Sequence, residues 1–215
     1  MIGPERLSAE ARDESGQTAC LTLHSTRTAY SRRVNATLGV EMPALNYFVE
    51  RTTQKLRFAR LHLDELRSHT SRNTGNDFER AHHESFFFHL YGAADAFLQE
   101  INIYYSCGLP VDKVSRRTLK SNLEKRHIVS TELVELEAAE RGQNGDLSDA
   151  KEFRHHAAHR GGIPMQHYLN GPSNLVNPTT RVELATDSIQ LLEQWLEKLG
   201  SLLEKLRANA PKIDA

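Results

Sequence analysis

Along this chain apolar residues recur at helical spacing in several long stretches, separated by turn-forming residues. After Pro43, which stands where a first-turn proline opens a helix, Leu45, Val49, Thr52, Leu56, Ala59, Leu63 and Leu66 follow at alternating four- and three-residue steps, predicting one long amphipathic helix. Its other face carries Arg51, Lys55, Arg57 and Arg60, either a solvated surface or a set of phosphate contacts. A loop over residues 68 to 76, with Asn73-Thr74-Gly75-Asn76, leads to a second long helix from about residue 77 to 105, stopped by Gly108 and Pro110. At about 100° per residue, Phe86, Phe87 and Phe88 fan through about 200°, so one neighbouring layer cannot cover all three rings. Part of this helix is therefore expected to meet a second protein surface, with a wholly intramolecular core as the alternative. Gly92, Ala93, Ala94 and Ala96 are small enough for a tight helix crossing, inside the bundle or between subunits.

The second half repeats the pattern with shorter elements. A basic stretch holding Lys113, Arg116, Arg117, Lys120, Lys125 and Arg126 predicts a helix from about 114 to 125. Ser130 can cap another through about 141, closed by Gly142-Gln143-Asn144-Gly145. A further helix begins near Ser148 or Asp149 and ends at Gly161-Gly162, before Pro164. Residues 163 to 180, with turns at Gly171-Pro172 and Asn177-Pro178, read as a long irregular connection. Ile189, Leu192, Trp195, Leu196, Leu199, Leu202, Leu203 and Leu206 then mark a leucine-rich helix from about 186 to 207. Residues 1 to 16 are polar and read as poorly ordered, while Ala19, Leu21 and Leu23 alternate with Cys20, Thr22 and His24 as a short strand would. The expected architecture is all-α. A helical domain of five or six helices spans residues 41–215, preceded over 1–40 by a partly disordered extension with a short irregular or β-containing segment.

Charge and cysteine content narrow the function classes. Lys plus Arg (27) nearly balances Asp plus Glu (28), so no global positive field draws the chain onto nucleic acid and any such contact must be local. Cys20 and Cys107 form no CxxC pair, which fits a reducing compartment. The first forty residues carry charges throughout and hold no apolar run of signal-peptide length. The greasiest stretch, about residues 86 to 98, is interrupted by His89 and Asp95 and falls short of the roughly 20 apolar residues of a membrane helix. The expectation is a cytoplasmic protein with no membrane span.

Candidate chemistry concentrates in the histidines. Eleven are present, clustered at His82-His83, His89, His155-His156-His159 and His167. His155 and His159, four residues apart, would share a helix face as two metal ligands do, but the Glu of HExxH is missing and no cluster elsewhere supplies an obvious third ligand. Arg154 opens the cluster, and a permanently charged guanidinium disfavours zinc and favours phosphate. Arg with His suits phosphodiester chemistry: His can move the proton of a ribose 2′-hydroxyl or of the leaving oxygen, and Arg stabilises charge building on the phosphoryl oxygens. Five residues place Arg154 and His159 about 140° apart on an ideal helix, so a second copy of the chain could complete the site.

The run Arg154-His155-His156-Ala157-Ala158-His159 resembles the R-polar-x3-H motif, a form of Rx4-6H, of the HEPN superfamily, and the resemblance extends over roughly residues 44 to 207. It implies a helical bundle that dimerises with two motifs facing across a composite cleft. It implies a metal-independent endoribonuclease, without cofactor, that leaves a 2′,3′-cyclic phosphate and serves in toxin–antitoxin or phage-defence systems beside an antitoxin or nucleotidyltransferase partner. Arg154 and His159 would then be catalytic, and His155 would take the variable polar position. Glu84 and Asp95, eleven residues apart on one helix face, could orient Arg154 or a histidine, with His156 a further supporting candidate. Asp95, expected to be buried among Ala93, Ala94 and Ala96, would need a partner, and an ordinary structural ion pair is the alternative role. Arg116, Arg117, Lys120 and Arg160 could hold the RNA backbone outside the cleft. Two other readings use the same residues: a non-catalytic HEPN-like module binding a nucleotide or protein, and a His-ligated metal hydrolase.

Overall fold

The alternating three- and four-residue spacing from Leu45 to Leu66 closes into helix α1, residues 44–68, with Thr52, Ala59, Leu63 and Leu66 buried along one stripe. The structure is a computed structural model, and its described residues are 44–68, 76–141, 147–158, 162–168 and 173–211. The alternating segment at Ala19 to Leu23 and Cys20 lie outside them. Helix α2, Asn76–Tyr104, is the central element. Phe86, Phe87, Leu90, Ala93, Phe97 and Ile101 along it are fully buried, whereas Phe88 is 61% exposed. The 200° fan of three phenylalanines thus resolves as two rings in the core and one outside.

Three pairings fix α1 antiparallel to α2. Thr52 Oγ1 donates to Glu100 Oε1 at 2.6 Å, Lys55 Nζ donates to His89 Nδ1 at 3.5 Å, and His62 Nδ1 lies 3.2 Å from His82 Nδ1. The fully buried Glu100 also accepts Arg207 in bidentate fashion, Nε to Oε2 at 2.8 Å and Nη2 to Oε1 at 2.7 Å. Three charge-assisted hydrogen bonds therefore satisfy a carboxylate that burial would otherwise penalise heavily.

Side-chain caps open three of the remaining helices, and the one at Ser130 is the cap expected from the sequence. Helix α3, Arg116–Lys125, starts at Ser115, whose Oγ accepts from Thr118 N at 3.2 Å while its own N–H donates to Thr118 Oγ1 at 2.9 Å. Ser130 Oγ accepts from Leu133 N at 3.2 Å and opens α4, Thr131–Arg141. Helix α5, Ser148–His156, continues into a π turn at residues 157–158. Helix α6, Ser188–Asn209, is capped by Asp187, which accepts from Gln190 N at 3.1 Å. Six α-helices are described in all, the all-α class expected.

The connection before α6 is not irregular, as its sequence suggested. It holds an antiparallel sheet in the order β1 (Met165–Gln166), β2 (Asn174–Val176) and β3 (Glu183–Asp187). Asn177 makes the β2–β3 turn, its Oδ1 accepting from Thr179 N at 2.9 Å and Thr180 N at 2.8 Å, while its own N–H donates to Val182 O at 2.8 Å. Among the described residues no helix is long and apolar enough to cross a membrane.

Candidate functional site

Arg154 owes its position to its neighbour. Phe153 is fully buried, stacking on Phe87 with ring centroids 5.3 Å apart and lying 5.9 Å from Trp195, so α5 is pinned against both α2 and α6. The next residue, about 100° round the helix, is then set at the α5–α2 edge. There Arg154 lines a pocket of about 260 Å³ with Glu84, Ser85, Phe88, Ala157 and Ala158. Its Nη2 lies 3.6 Å from Asp95 Oδ2, and the two side chains are 41% and 53% exposed. Glu84 in turn accepts from Arg80 Nε at 3.3 Å.

Helical geometry explains why these α2 residues converge. At about 100° per residue Glu84, Phe88 and Asp95 fall within about 40° of one another, opposite the stripe of Phe86, Ala93 and Phe97. Asp95 is therefore exposed, not buried among its alanine neighbours: the alanines turn inward and the residue between them turns outward.

The histidines beside Arg154 take another direction. His155 and His156 line a separate pocket with Glu140, Lys151, Glu152 and Thr179. His156 Nδ1 donates to Gly162 O at 2.7 Å, since a carbonyl only accepts. Gly162 sits at φ +91°, and the space a Cβ would need there is filled by the Arg80 guanidinium. The positive φ is what favours glycine here, since the Arg80 side chain can swing aside. His159 and Arg160 lie outside the described residues.

The structure thus brings Arg154, Glu84 and Asp95 together, and sets His155 and His156 beside a different cavity. Of the expected backbone contacts, Arg116 is paired with buried Glu140, which also binds Lys151 Nζ at 3.2 Å. Lys120 lies 3.7 Å from Glu137, and Arg117 is exposed. Among the described residues no group of three or more His, Cys, Asp or Glu is arranged to hold a metal ion.

Tertiary pairing adds groups that the sequence did not single out as site residues. Ser85 and Phe88 wall the Arg154 pocket. Along α1 and α2, His62 stacks on His89 with centroids 5.4 Å apart. His89 is held down to about pH 4, first by burial and then by the Lys55 ammonium. Lys55 also places its Nζ 4.6 Å from the centroid of the Phe88 ring. On the sheet side of α2, His83 is almost wholly buried and its pKa falls to about 4, chiefly through desolvation, leaving a neutral ring that donates from Nδ1 to Glu79 O at 2.7 Å.

Fold and site together define an all-α bundle that presents an arginine pocket on the edge between α2 and α5. The chain belongs to a family of unknown function (DUF6586), whose model matches residues 47–212, from the first turn of α1 to just past the end of α6. No curated protein and no solved structure matches the chain.

Proposed function

We propose that the chain is a metal-independent endoribonuclease of HEPN type in which Arg154 receives the scissile phosphate. The observation that carries this reading is the contrast between two arginines. Arg207 is locked to a buried carboxylate by two short bonds, whereas Arg154 faces an open pocket and, among the described residues, its ion pair is with an exposed Asp95 at 3.6 Å. Such a loose, solvated pair is worth at most about 1 kcal/mol, so a phosphate oxygen can replace the Asp95 carboxylate at little cost. Asp95 and Glu84 would then hold the guanidinium in place between turnovers.

The chemistry follows from the sequence resemblance. A base removes the proton of the ribose 2′-hydroxyl, the 2′-oxygen attacks phosphorus, the bond to the 5′-oxygen breaks, and that oxygen takes up a proton. The product strand ends in a 2′,3′-cyclic phosphate. His159 is assigned the proton transfers and His155 the positioning role, with a second copy of the chain completing a composite cleft. Arg154 stabilises charge on the non-bridging oxygens, the kind of contribution that a single preorganised donor supplies at about 10²–10³ in rate. A toxin or phage-defence role in the cytoplasm, with an antitoxin or nucleotidyltransferase partner, accompanies the same resemblance.

A second reading, a module that binds nucleotide without cleaving it, is favoured by one observation: Glu84 and Ser85 are the other polar residues of the Arg154 pocket among the described residues, and neither is a histidine. Incubating mixed RNA, with and without EDTA, with the wild-type chain and with an Arg154→Ala, His159→Ala double variant separates the two. Cleavage by wild type alone supports the nuclease. Binding without cleavage supports the module, and cleavage that EDTA abolishes supports a metal hydrolase instead.

A further inference from the structure

We infer that the exposed Phe88 ring and Lys55 form a binding subsite for one unpaired nucleotide beside Arg154, so that the substrate of the pocket is single-stranded RNA. The inference rests on the nuclease reading of Arg154 and adds what that reading lacks, a reason for one class of RNA over another.

Phe88 is a wall of the Arg154 pocket, yet 61% of it is exposed on a helix whose Phe86, Phe87 and Phe97 are in the core. Lys55 Nζ lies over one face of this ring, and the large part that stays exposed is surface on which a base can stack. Lys55 is ordered against it in a way few surface lysines are. Its stem crosses α2 at Gly92, where a Cβ would lie 3.1 Å from Lys55 Cδ, and its Nζ ends 4.6 Å from the Phe88 centroid and 3.5 Å from His89 Nδ1. Among the described residues no carboxylate pairs with Lys55. Its polar neighbour is a neutral imidazole acting as acceptor, so the ammonium charge is not cancelled. Arg51, one turn earlier on α1, adds a second positive charge to the same edge.

One aromatic ring is thus flanked by two cations, Arg154 on the pocket side and Lys55 on the other neighbouring helix. A base stacked on Phe88 would direct one flanking phosphate to Arg154 and the next to Lys55. Bases inside a duplex already stack on each other and cannot cover a protein ring, whereas a splayed single strand can. Stacking is tolerant of base identity, because every base has a π-face, so the subsite selects strandedness more than sequence.

The test is fluorescence anisotropy of the full chain carrying His159→Ala, in EDTA, with a fluorescein-labelled single-stranded RNA and the same strand annealed to its complement. The expected result is tighter binding of the single strand. In that background Phe88→Ala should weaken binding roughly ten-fold, the order of one base–aromatic stack, while Phe88→Trp retains it. Lys55→Gln should make the dependence of log K on log salt shallower by about 0.7, one phosphate contact to a single strand. Sedimentation and urea unfolding of the same variants report assembly and folding. If Phe88→Ala and Lys55→Gln leave binding unchanged while Arg154→Ala weakens it, the subsite is refuted and the Arg154 reading survives. If Phe88→Ala dissociates an oligomer without changing RNA affinity, the ring belongs to a protein contact and the subsite is again refuted. If neither strand binds even the wild-type chain, the nuclease reading falls along with it.

Discussion

Replacing Arg207 by Met should be among the most damaging single changes in the bundle, and the reason lies in Glu100 more than in Arg207. Glu100 is fully buried and accepts three bonds of 2.6, 2.7 and 2.8 Å from Thr52 and Arg207. Two of the three come from the arginine. Removing it leaves an ionised carboxylate in the core with one hydroxyl for company, a defect that costs about 3–5 kcal/mol. For a chain of this size each kcal/mol shifts the melting temperature by roughly 2–4 °C, so a fall of about 10 °C is expected. Trp195 is the single tryptophan and is buried against Phe87 and Phe153, which makes its fluorescence a direct probe of core unfolding in urea. The midpoint should drop with little change in the slope of the transition. Adding Glu100→Leu to Arg207→Met removes the stranded charge and should recover most of the loss. Arg154→Ala, which breaks only an exposed pair, should change stability by less than about 1 kcal/mol. An Arg207→Met chain as stable as wild type, or a double variant worse than both singles combined, would refute the assignment of this network as a buried structural pair.

Other consequences can be checked alongside it. His83 titrates near 4 in the folded chain against an ordinary value of 6.5, so the unfolded state binds the extra proton first and stability falls as pH drops from about 6.5 toward 4. Its share of that loss is about 3 kcal/mol from the size of the shift, and His83→Asn, which can keep the donor to Glu79 O but does not titrate, should flatten the urea midpoint measured across this range. Gly162→Ala should destabilise by about 1–2 kcal/mol or more, since the residue holds φ +91° and its Cβ would displace Arg80. An unchanged melting temperature would count against that geometry. Lys55→Gln should raise the pKa of His89, because the nearby ammonium is one of the influences holding it down, and NMR titration of the imidazole would show it.

How much of this was legible in the chain depended on whether the cause was local. The cap at Ser130 and the α1 periodicity are written into neighbouring residues, and those helices fall close to where the pattern set them. The fan of Phe86 to Phe88 also carried real information, since one ring does stay outside. The small sheet escaped because its strands are two, three and five residues long. No position of β3 is buried and the β2–β3 register shifts, so no period-two signal exists to be read. The eleven-residue spacing of Glu84 and Asp95 puts them on one face, but the exposure of Asp95 follows from its helix angle and not from the alanines beside it in sequence. Glu100 and Arg207, 107 residues apart, and Lys55 crossing at Gly92 are products of helix pairing that no local pattern announces.

The identity of the RNA ends tests the central claim most directly. Wild-type chain and Arg154→Ala, matched in folding by Trp195 fluorescence, are incubated in EDTA with a 5′-labelled single-stranded RNA, and the fragments are resolved against standards bearing 3′-hydroxyl and 2′,3′-cyclic phosphate ends. Cyclic phosphate ends from wild type, reduced about 10²–10³-fold by Arg154→Ala, are the expected result. Fragments with 3′-hydroxyl ends, or equal cleavage by both chains, would contradict a phosphate-binding role for Arg154 in this chemistry.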